Sequence, residues 1–302
     1  MSKILVVGSS NTDMVVKTIR FPMPGETLLG GEFFMFSGGK GANQAVAAAR
    51  MGSEVTLICK IGDDIFGKRS VEEFKKEGIN TQFIEMSSEK ASGTALILVN
   101  ENGENEIVVA SGANETLNEN NIDAALEAFA VADVVLLQLE TPLQTVLYAA
   151  KTAFEMGKKV ILNPAPAQQL PEELFKYLYL ITPNETEAEI LTGIKVIERT
   201  TAAAAAEKLL SMGVPQVIIT LGAEGAYYKN HEMEMFVPSP KVKAIDTTAA
   251  GDVFNGVISV QTAEGNDLEA SIAFACKVAA ISVTRMGAQP SMPYKKEMEE
   301  LQ

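Results

Sequence analysis

The chain has 302 residues, with 25 Lys and Arg against 39 Asp and Glu, so its formal net charge is −14. A net anion of this size argues against a nucleic-acid partner or an anionic membrane, because both carry phosphate groups that repel it. Hydrophobic residues make up 47% of the chain and charged residues 21%, a composition typical of globular rather than disordered proteins.

The apolar runs are short, as at Ile4–Val7 and Val134–Leu137, and do not approach the roughly 18 residues of a membrane span. The N-terminal run is too short for a signal peptide. Cys59 and Cys276 form no CxxC pair, and His231 is the sole histidine, so neither a disulfide framework nor a zinc site is expected. We therefore expect a soluble cytoplasmic protein.

Short runs of Val, Ile and Leu alternate with helical patterns along most of the chain, and such runs are typical of parallel strands buried on both faces. The alternation predicts a doubly wound parallel sheet with ligands at the carboxyl ends of its strands. The predicted strands are Ile4–Gly8, Val55–Cys59, Val134–Gln138, Val160–Asn163, Leu178–Thr182 and Val217–Thr220, with a later hairpin at Gly225–Tyr228 and Met233–Val237. The predicted helices are Ala42–Met51, Ile65–Glu77, Ile122–Ala130, Leu143–Met156, Thr186–Thr192, Thr201–Met212, Ala250–Thr262 and Leu268–Arg285.

Two segments interrupt this alternation. Thr12–Phe36 has strand-like stretches on either side of a Pro-Met-Pro-Gly turn, and Thr94–Ala110 predicts a hairpin with Asn102 and Gly103 in its turn. These strands predict either a small sheet of their own, which could serve as a lid or an interface, or an edge extension of the main sheet. Spacing alone does not decide between the two.

The stretch Ser37–Gln44 has three glycines in four residues and leads into a predicted helix. Glycines let the backbone approach a ligand closely, and a helix N-terminus attracts anions. Lys40 adds a cation and Asn43 an amide, although the spacing matches neither GxxxxGK[ST] nor GxGxxG. The stretch predicts a ligand-binding loop, and a glycine-rich connecting turn is the alternative.

A second stretch, Asp246–Gly256, places the small residues Ala249, Ala250 and Gly251 at the start of a predicted helix. Such residues suit a tight turn whose N–H groups face an anion. Asp252 follows in the first helical turn, where a general base toward an attacking hydroxyl would explain a carboxylate beside an anion. The alternative is that Asp252 only complements the helix dipole.

Three further places carry polar groups near predicted strand ends. In Thr182–Glu189, Asn184 and Glu187 have the spacing of a capping box. This spacing alone favours a helix cap over Mg²⁺ binding through water. Asp13 and Glu140 each follow a predicted strand, where they face either a ligand or solvent. Thr220–Gly225 follows another strand and is either a simple turn or a place where a flat ring meets the backbone.

Taken together, these stretches resemble the ribokinase-like family of carbohydrate kinases. Gly38–Met51 is similar to the family's first signature, Asp246–Gly256 to its second, and Thr182–Glu189 to its Asn-x-x-Glu motif. The resemblance extends from Gly8–Asp13 to Gly287–Ser291, which is nearly the whole chain.

The resemblance implies ATP-dependent phosphorylation of the 5-hydroxyl of ribose, with Asp252 as the catalytic base and Ala249, Ala250 and Gly251 as an anion hole. The positions that match sugar-binding residues are Asn11, Asp13, Gly39, Lys40, Asn43, Glu140 and Asp252. Those that match residues around the nucleotide are Asn184, Thr220, Gly222, Gly225, Gly251 and Cys276, with Glu187 organising Mg²⁺ through water. The positions that match residues of a loop that binds a monovalent cation, K⁺, are Asp246, Thr248, Ser282, Arg285, Gly287 and Ser291. Several of these residues would bind the ion through main-chain oxygens.

The same resemblance implies a three-layer α/β/α doubly wound fold, mostly parallel, in a single domain spanning residues 1–302. A small β-sheet lid from residues 12–37 and 93–111 would cover the sugar, and two such lids would clasp in a homodimer. The nearest alternative is a related sugar or nucleoside kinase for deoxyribose or fructose. A non-catalytic sugar-binding regulator is a more distant one.

Overall fold

The computed structural model describes residues 1–300, and in this range thirteen strands form two separate sheets. In chain order the strands are β1 (Lys3–Val7), β2 (Asn11–Lys17), β3 (Glu32–Gly38), β4 (Glu54–Gly62), β5 (Ile84–Ser87), β6 (Gly93–Val99), β7 (Asn105–Ala110), β8 (Val134–Leu137), β9 (Lys159–Leu162), β10 (Leu180–Ile181), β11 (Gln216–Thr220), β12 (Gly225–Asn230) and β13 (Glu234–Pro238).

Nine of these strands form the main sheet, in the order β13-β12-β11-β10-β9-β8-β1-β4-β5. All neighbours from β11 to β5 run parallel, and only β12 and β13 add antiparallel pairs at one edge. The doubly wound, mostly parallel sheet predicted from the sequence is thereby confirmed.

The helices cover both faces of this sheet. They are α1 (Lys40–Arg50), α2 (Ile65–Lys76), α3 (Glu119–Asp123), α4 (Leu126–Val131), α5 (Leu143–Glu155), α6 (Glu172–Phe175), α7 (Glu185–Thr192), α8 (Arg199–Ser211), α9 (Ala250–Glu264), α10 (Leu268–Ser282) and α11 (Lys295–Glu300). Among the described residues 1–300, no helix is long and apolar enough to cross a bilayer.

Alternation along β1 divides the core into two apolar layers. Leu5 and Val7 pack into the layer on one face of the sheet, and Ile4 and Val6 into the layer on the other, and all four are at most 1% exposed. Successive residues of a strand point to opposite faces, so a run without polar residues needs cover on both sides. This requirement gives the three-layer architecture.

The two interrupting segments form the second sheet, in the order β3-β2-β6-β7. β2 pairs antiparallel with β3 and parallel with β6, and β6 pairs antiparallel with β7. The small sheet of their own is therefore confirmed, and the alternative of an edge extension is wrong.

Three local predictions need correction. The helix predicted at Ile122–Ala130 is two short helices, α3 and α4, because Ala125 leaves the helical region with φ −114° and ψ 15°. The last long helix ends at Ser282 rather than Arg285. The edge strand β5 was missed because its sequence, Ile-Glu-Met-Ser, is too short and too polar to form a clear apolar run.

Candidate active site

Polar side chains gather above the carboxyl edge of the main sheet. Glu140 follows β8, Asn163 follows β9, and Asn184 follows β10. The N-termini of α1 and α9 open toward the same place, so Lys40, Asn163, Asn184 and Asp252 line one small cavity. The predicted location of ligand-binding groups, at the ends of parallel strands, is where these residues meet.

The glycine-rich stretch leads into α1 through a turn with no space for a side chain. Gly39 has φ 86°, and a Cβ atom there would lie 2.7 Å from the Asn11 nitrogen, so a side chain is excluded. The Lys40 amide then donates to Oε2 of Glu140 over 2.9 Å, and the Ser9 hydroxyl donates to the same oxygen. Glu140 thus anchors the N-terminus of α1, where a carboxylate is favourable.

The start of α9 is strained. Ala249 has φ 61°, and no other non-glycine among the described residues has a positive φ. This left-handed conformation costs an alanine about 1–2 kcal/mol, and strain of this kind clusters at functional sites. The first N–H groups of the helix lack intrahelical partners, and a Cβ atom on Gly251 would meet nothing within 4 Å. The turn therefore leaves open space for an anion beside those groups.

Asp252 lies in the first turn of α9 and is only 5% exposed. Its Oδ2 accepts a hydrogen bond from Nδ2 of Asn43 at 2.9 Å, and its Oδ1 accepts one from Nε2 of Gln44 at 3.0 Å. The side-chain amides of two consecutive residues of α1 are therefore neutral donors that orient one carboxylate of α9.

The Lys40 ammonium group lies within a cluster of carboxylates. Burial alone would lower the pKa of this group, but attraction to the carboxylates outweighs burial and raises the pKa. Lys40 is therefore a cation at neutral pH. The carboxylates, in order of their effect on it, are Asp252, Glu140, Glu187 and Asp13.

Asp13 has the most perturbed carboxyl of the site. Burial and, after it, repulsion from Glu140 and Asp252 raise its pKa to about 7, against the opposing effect of Lys40. The carboxyl lies against Gly38, where a Cβ atom would come within 2.3–2.4 Å of its atoms. Asp13 is thus held in the site by close packing despite the cost of ionising it there.

Two adjoining cavities divide the site. One of about 180 Å³ surrounds Asp252, Lys40 and Gly251, and its neighbour of about 650 Å³ extends from Gly251 toward α10. Both are lined by Asn184, Thr220, Thr247, Ala250 and Gly251. The larger cavity brings together the predicted nucleotide positions Asn184, Thr220, Gly222, Gly225, Gly251 and Cys276.

Cys276 contributes to that larger cavity as an apolar surface. Its side chain is 5% exposed, and burial raises the pKa of its thiol to about 11. The thiol is therefore neutral at physiological pH, and packing is the contribution that the structure supports.

Asn184 and Glu187 form the capping box that their spacing predicts. The Asn184 side chain accepts from the Glu187 amide at 2.8 Å, and Glu187 accepts from the Asn184 amide at 2.9 Å. Burial raises the pKa of Glu187, against the opposing effects of that amide and of Lys40. Since Glu187 also lines the small cavity, the cap and a ligand-facing carboxylate coexist in one residue.

Asp246 links the residues before α9 to the loop after α10. Its Oδ1 accepts from the Thr248 amide at 3.0 Å and its Oδ2 from the Gly287 amide at 2.8 Å. Burial works against ionisation of Asp246, but these hydrogen bonds and the Thr248 hydroxyl outweigh it and lower the pKa. Asp246 is therefore an anion that joins the two stretches predicted to hold a cation.

The side chains of the other predicted cation-loop residues are engaged locally. The Ser282 hydroxyl donates to Ala279 O, the Ser291 hydroxyl to Ala288 O, and the Arg285 guanidinium pairs with Glu297 at 2.6 Å. Within residues 1–300, no group of three or more His, Cys, Asp or Glu side chains could hold a metal ion.

Sequence reasoning missed a buried amide network behind Asp252. Gln44 donates to Asn163 Oδ1 at 2.9 Å as well as to Asp252, and Gln138 donates to Gln44 Oε1 at 2.6 Å. Asn255 donates to Gly251 O at 2.8 Å. Asn163 could have been found by the strand-end rule, whereas Gln44 stands in a small-residue helix that indicates core packing.

Comparison with known proteins identifies the family of the chain. A family model described as pfkB family carbohydrate kinase matches residues 1–295. A ribokinase of Haemophilus influenzae is 46% identical over 294 residues, which are 97% of this chain and 96% of that protein. A deoxyribokinase of Salmonella typhi is 40% identical over 298 residues, 98% of this chain and 97% of that protein.

Solved structures give the same result for the fold. The structure of Arabidopsis thaliana ribokinase complexed with ribose and ATP superposes with a TM-score of 0.93 at 31% sequence identity. The match covers 100% of this chain and 99% of that one.

The raised pKa of Asp13 predicts a pH-dependent stability cost. Between its ordinary pKa of 3.8 and about 7, the folded carboxyl binds a proton that the unfolded one has lost, so stability falls as pH rises through this window. Asp13→Asn removes the ionisable group. Without ligand, we expect its gain in Tm to be at least about 2 °C larger at pH 8 than at pH 5, since 1 kcal/mol shifts Tm by roughly 2–4 °C in larger domains.

Differential scanning calorimetry at the two pH values measures this gain. Asp133→Asn is the matched control, because Asp133 is exposed and its amide replacement can still accept from the Lys3 amide. An equal gain in Tm at pH 5 and pH 8 for Asp13→Asn would show that ionisation of the Asp13 carboxyl does not destabilise the folded chain.

Proposed function

The chain belongs to the pfkB family of carbohydrate kinases, and we propose that this sugar kinase transfers the γ-phosphoryl group of ATP to the 5-hydroxyl of D-ribose, giving ribose 5-phosphate and ADP. The observation that carries the proposal is Asp252, buried at the N-terminus of α9, held by two amides and facing Lys40. The ribokinases among the relatives support ribose as the acceptor.

Asp252 acts as the general base. Its carboxylate takes the proton of the 5-hydroxyl as that oxygen attacks the γ-phosphorus, and the bond to the β-phosphate oxygen breaks to release ADP. Charge on the transferring group faces the N–H groups of Ala249, Ala250 and Gly251 at the start of α9, where dipoles fixed in advance stabilise it. Lys40 adds a positive charge to the same cavity.

The sugar lies against the start of α1. Asn11, Asp13 and Gly39 line it from β2 and the glycine-rich turn, and Lys40, Asn43 and Glu140 complete the set. Sugar hydroxyls both donate and accept hydrogen bonds, which suits carboxylates, amides and main-chain N–H groups. The second sheet, with residues 12–37 and 93–111, covers the sugar as a lid within a single domain and excludes water as a competing acceptor.

ATP occupies the cavity of about 650 Å³ between β11, α7 and α10. Asn184, Thr220, Gly222, Gly225 and Cys276 surround its nucleoside, and the phosphates extend toward Gly251. Mg²⁺, which neutralises phosphate charge when bound, prefers carboxylate oxygens and water. Glu187 fits this requirement, because its carboxylate lines the small cavity beside Asp252, and it would hold the ion through water.

A panel of sugars tests the proposed reaction. With Mg·ATP, we expect D-ribose to have a kcat/KM at least about tenfold above 2-deoxyribose and fructose. Hydrogen-bonding pockets discriminate against the missing hydroxyl of 2-deoxyribose, and fructose is a larger sugar whose hydroxyls are placed differently. A coupled ADP-release assay measures the rates. A better rate with deoxyribose or fructose would favour the related kinases, and sugar binding without turnover on any acceptor would favour a regulator.

Asp252→Asn is the matched variant for the same assay. We expect kcat for ribose to fall by about 10²–10⁴-fold, the usual contribution of a general base, while the ribose Kd from calorimetry stays within about threefold. A near-native kcat would remove Asp252 from the role of base.

A K⁺ ion would fix the turn before α9. The residues proposed to bind it, several of them through main-chain oxygens, are Asp246, Thr248, Ser282, Arg285, Gly287 and Ser291. The bridge through Asp246 and the locally engaged serine and arginine side chains fit such a site, since main-chain oxygens can replace the hydration shell of K⁺. The ion need not touch substrate. Its effect would be to hold the N–H groups of the turn in place.

Activity should then depend on the monovalent cation. At equal ionic strength and saturating Mg·ATP, we expect turnover in KCl to exceed that in NaCl or LiCl, because smaller ions leave the oxygens poorly spaced. Asp246→Ala should lower kcat by about tenfold or more and reduce the cation dependence, whereas Asp63→Ala, at an exposed carboxylate, should change neither. Equal rates in the three salts would leave Asp246 as a turn cap and disprove the cation site.

The second sheet also supports a homodimer. The edge strand β7 exposes Ile107 (52%), Val108 (68%) and Val109 (50%), and its neighbour β6 exposes Leu96 (55%). Contiguous exposed apolar residues on an unpaired strand favour association with a second copy. The lid is therefore the contact between the two subunits.

Sedimentation velocity tests this contact. We expect a dimer for the native chain and a monomer for Val108→Asp, because a buried unpaired carboxylate is costly. Val131→Asp makes the same change at a valine of α4 that is 57% exposed, and it should leave the dimer intact. Equal behaviour of the two variants would place the contact elsewhere.

A further inference from the structure

Gln44 is a buried residue beside the reacting groups that neither the motifs nor the family resemblance assigned. It follows Asn43 in the first turns of α1, and its side chain is 0% exposed. Its Nε2 donates to Asp252 Oδ1 at 3.0 Å and to Asn163 Oδ1 at 2.9 Å. Both hydrogens of the amide nitrogen are thus used, and one of them is on Asp252.

The orientation of this amide is fixed by its other end. Gln138, also 0% exposed, donates from Nε2 to Oε1 of Gln44 at 2.6 Å. With its oxygen occupied by a donor, Gln44 can present only its nitrogen to Asp252. Its side chain is therefore a donor aimed at the carboxylate and has no free polar atom to offer a substrate.

Asn43 restrains the other carboxylate oxygen in the same way. Its Nδ2 donates to Asp252 Oδ2 at 2.9 Å, and its Oδ1 accepts from Gln289 Nε2 at 3.2 Å. One neutral donor on each oxygen fixes the plane of the carboxylate and leaves further lone pairs directed at the cavity. A cationic donor would instead form a stronger, charge-assisted bond and reduce the basicity of the group.

We propose that Gln44 is a positioning residue for phosphoryl transfer, which holds the Asp252 carboxylate aimed at the acceptor hydroxyl. The proposal rests on the proposed function, in which Asp252 is the base. Other charged groups face Asp252 from three elements, namely Lys40 on α1, Asp13 on β2 and Glu187 on α7. Gln44 is distinct from them because it contacts the carboxylate while remaining neutral at all pH values.

Two substitutions separate positioning from packing. Gln44→Met keeps the volume and removes the donor, and we expect kcat to fall by about 10–100-fold while the ribose Kd stays within about threefold. Gln44→Glu places a second carboxyl against Asp252, and like charges disfavour the ionised form. We expect the acidic limb of its kcat–pH profile to move up by about one pH unit or more, with the rate recovering as pH rises.

Gln216 provides matched controls. It is half-buried at the amino end of β11, away from the site, and accepts from the Tyr228 hydroxyl at 2.8 Å. Gln216→Met and Gln216→Glu should leave kcat and the acidic limb unchanged, even if they lower Tm as much as the Gln44 variants do. Thermal unfolding and ribose calorimetry on every variant identify any loss that comes from misfolding.

The measured rates test the proposed function and the role of Gln44 separately. The native rate tests the proposed function, and the ratio of variant to native rate, on whichever sugar is turned over, tests Gln44. A kcat within about threefold of native for both variants, or a loss that is equal at all pH values and accompanied by weaker ribose binding, would reduce Gln44 to a packing residue. If the native chain phosphorylates no sugar, the proposal fails together with the function on which it rests.

Discussion

The close packing of α1 against α9 is the constraint on which the site depends. Gly256 makes it possible, because a Cβ atom there would lie 2.6 Å from Ala47 Cβ and 2.8 Å from the Gln44 carbonyl oxygen. One turn toward the N-terminus of α9, this contact brings Asp252 onto the amides of Asn43 and Gln44. The absence of a side chain at Gly256 therefore controls where Asp252 lies, and in the proposed reaction a misplacement of about 1 Å can cost 10²-fold in rate.

The arrangement of charged groups in the site lowers the stability of the folded chain. Burial and repulsion from Glu140 and Asp252 raise the pKa of Asp13 to about 7, and Lys40 offsets them only in part. Ligands that donate hydrogen bonds or bring a cation would relieve this repulsion. Relief of these unfavourable electrostatics would contribute to the free energy of binding, and the close packing of the Asp13 carboxyl against Gly38 limits how far that carboxyl can move.

The sequence predicts most of the main sheet because buried parallel strands need continuous apolar runs, as at Ile4–Val7. It cannot place the second sheet, since the pairing of β2 with β6 joins residues about eighty positions apart and depends on tertiary contacts. In the site, spacing alone leaves Asp13 and Glu140 as acids that face either a ligand or solvent, and only the family resemblance selects them. Asp252 stands out because a carboxylate beside an anion-binding helix start requires a chemical explanation. Gln44 does not stand out in the sequence, because an amide among alanines follows the pattern of a packed helix. Only the residues that surround it in the structure reveal its role.

The second sheet is connected to the start of α9 through a series of packed and hydrogen-bonded groups. Phe36 pairs with Asp13 across β2 and β3, and its ring lies where a Cβ atom on Gly287 would approach to 3.2 Å. The Gly287 amide binds Asp246, which also binds the Thr248 amide just before the strained turn at Ala249. The second sheet is therefore in continuous contact with the start of α9. Because packed groups of this kind do not deform independently, a shift of β3 against the main sheet changes the setting of both Asp13 and the anion-binding turn.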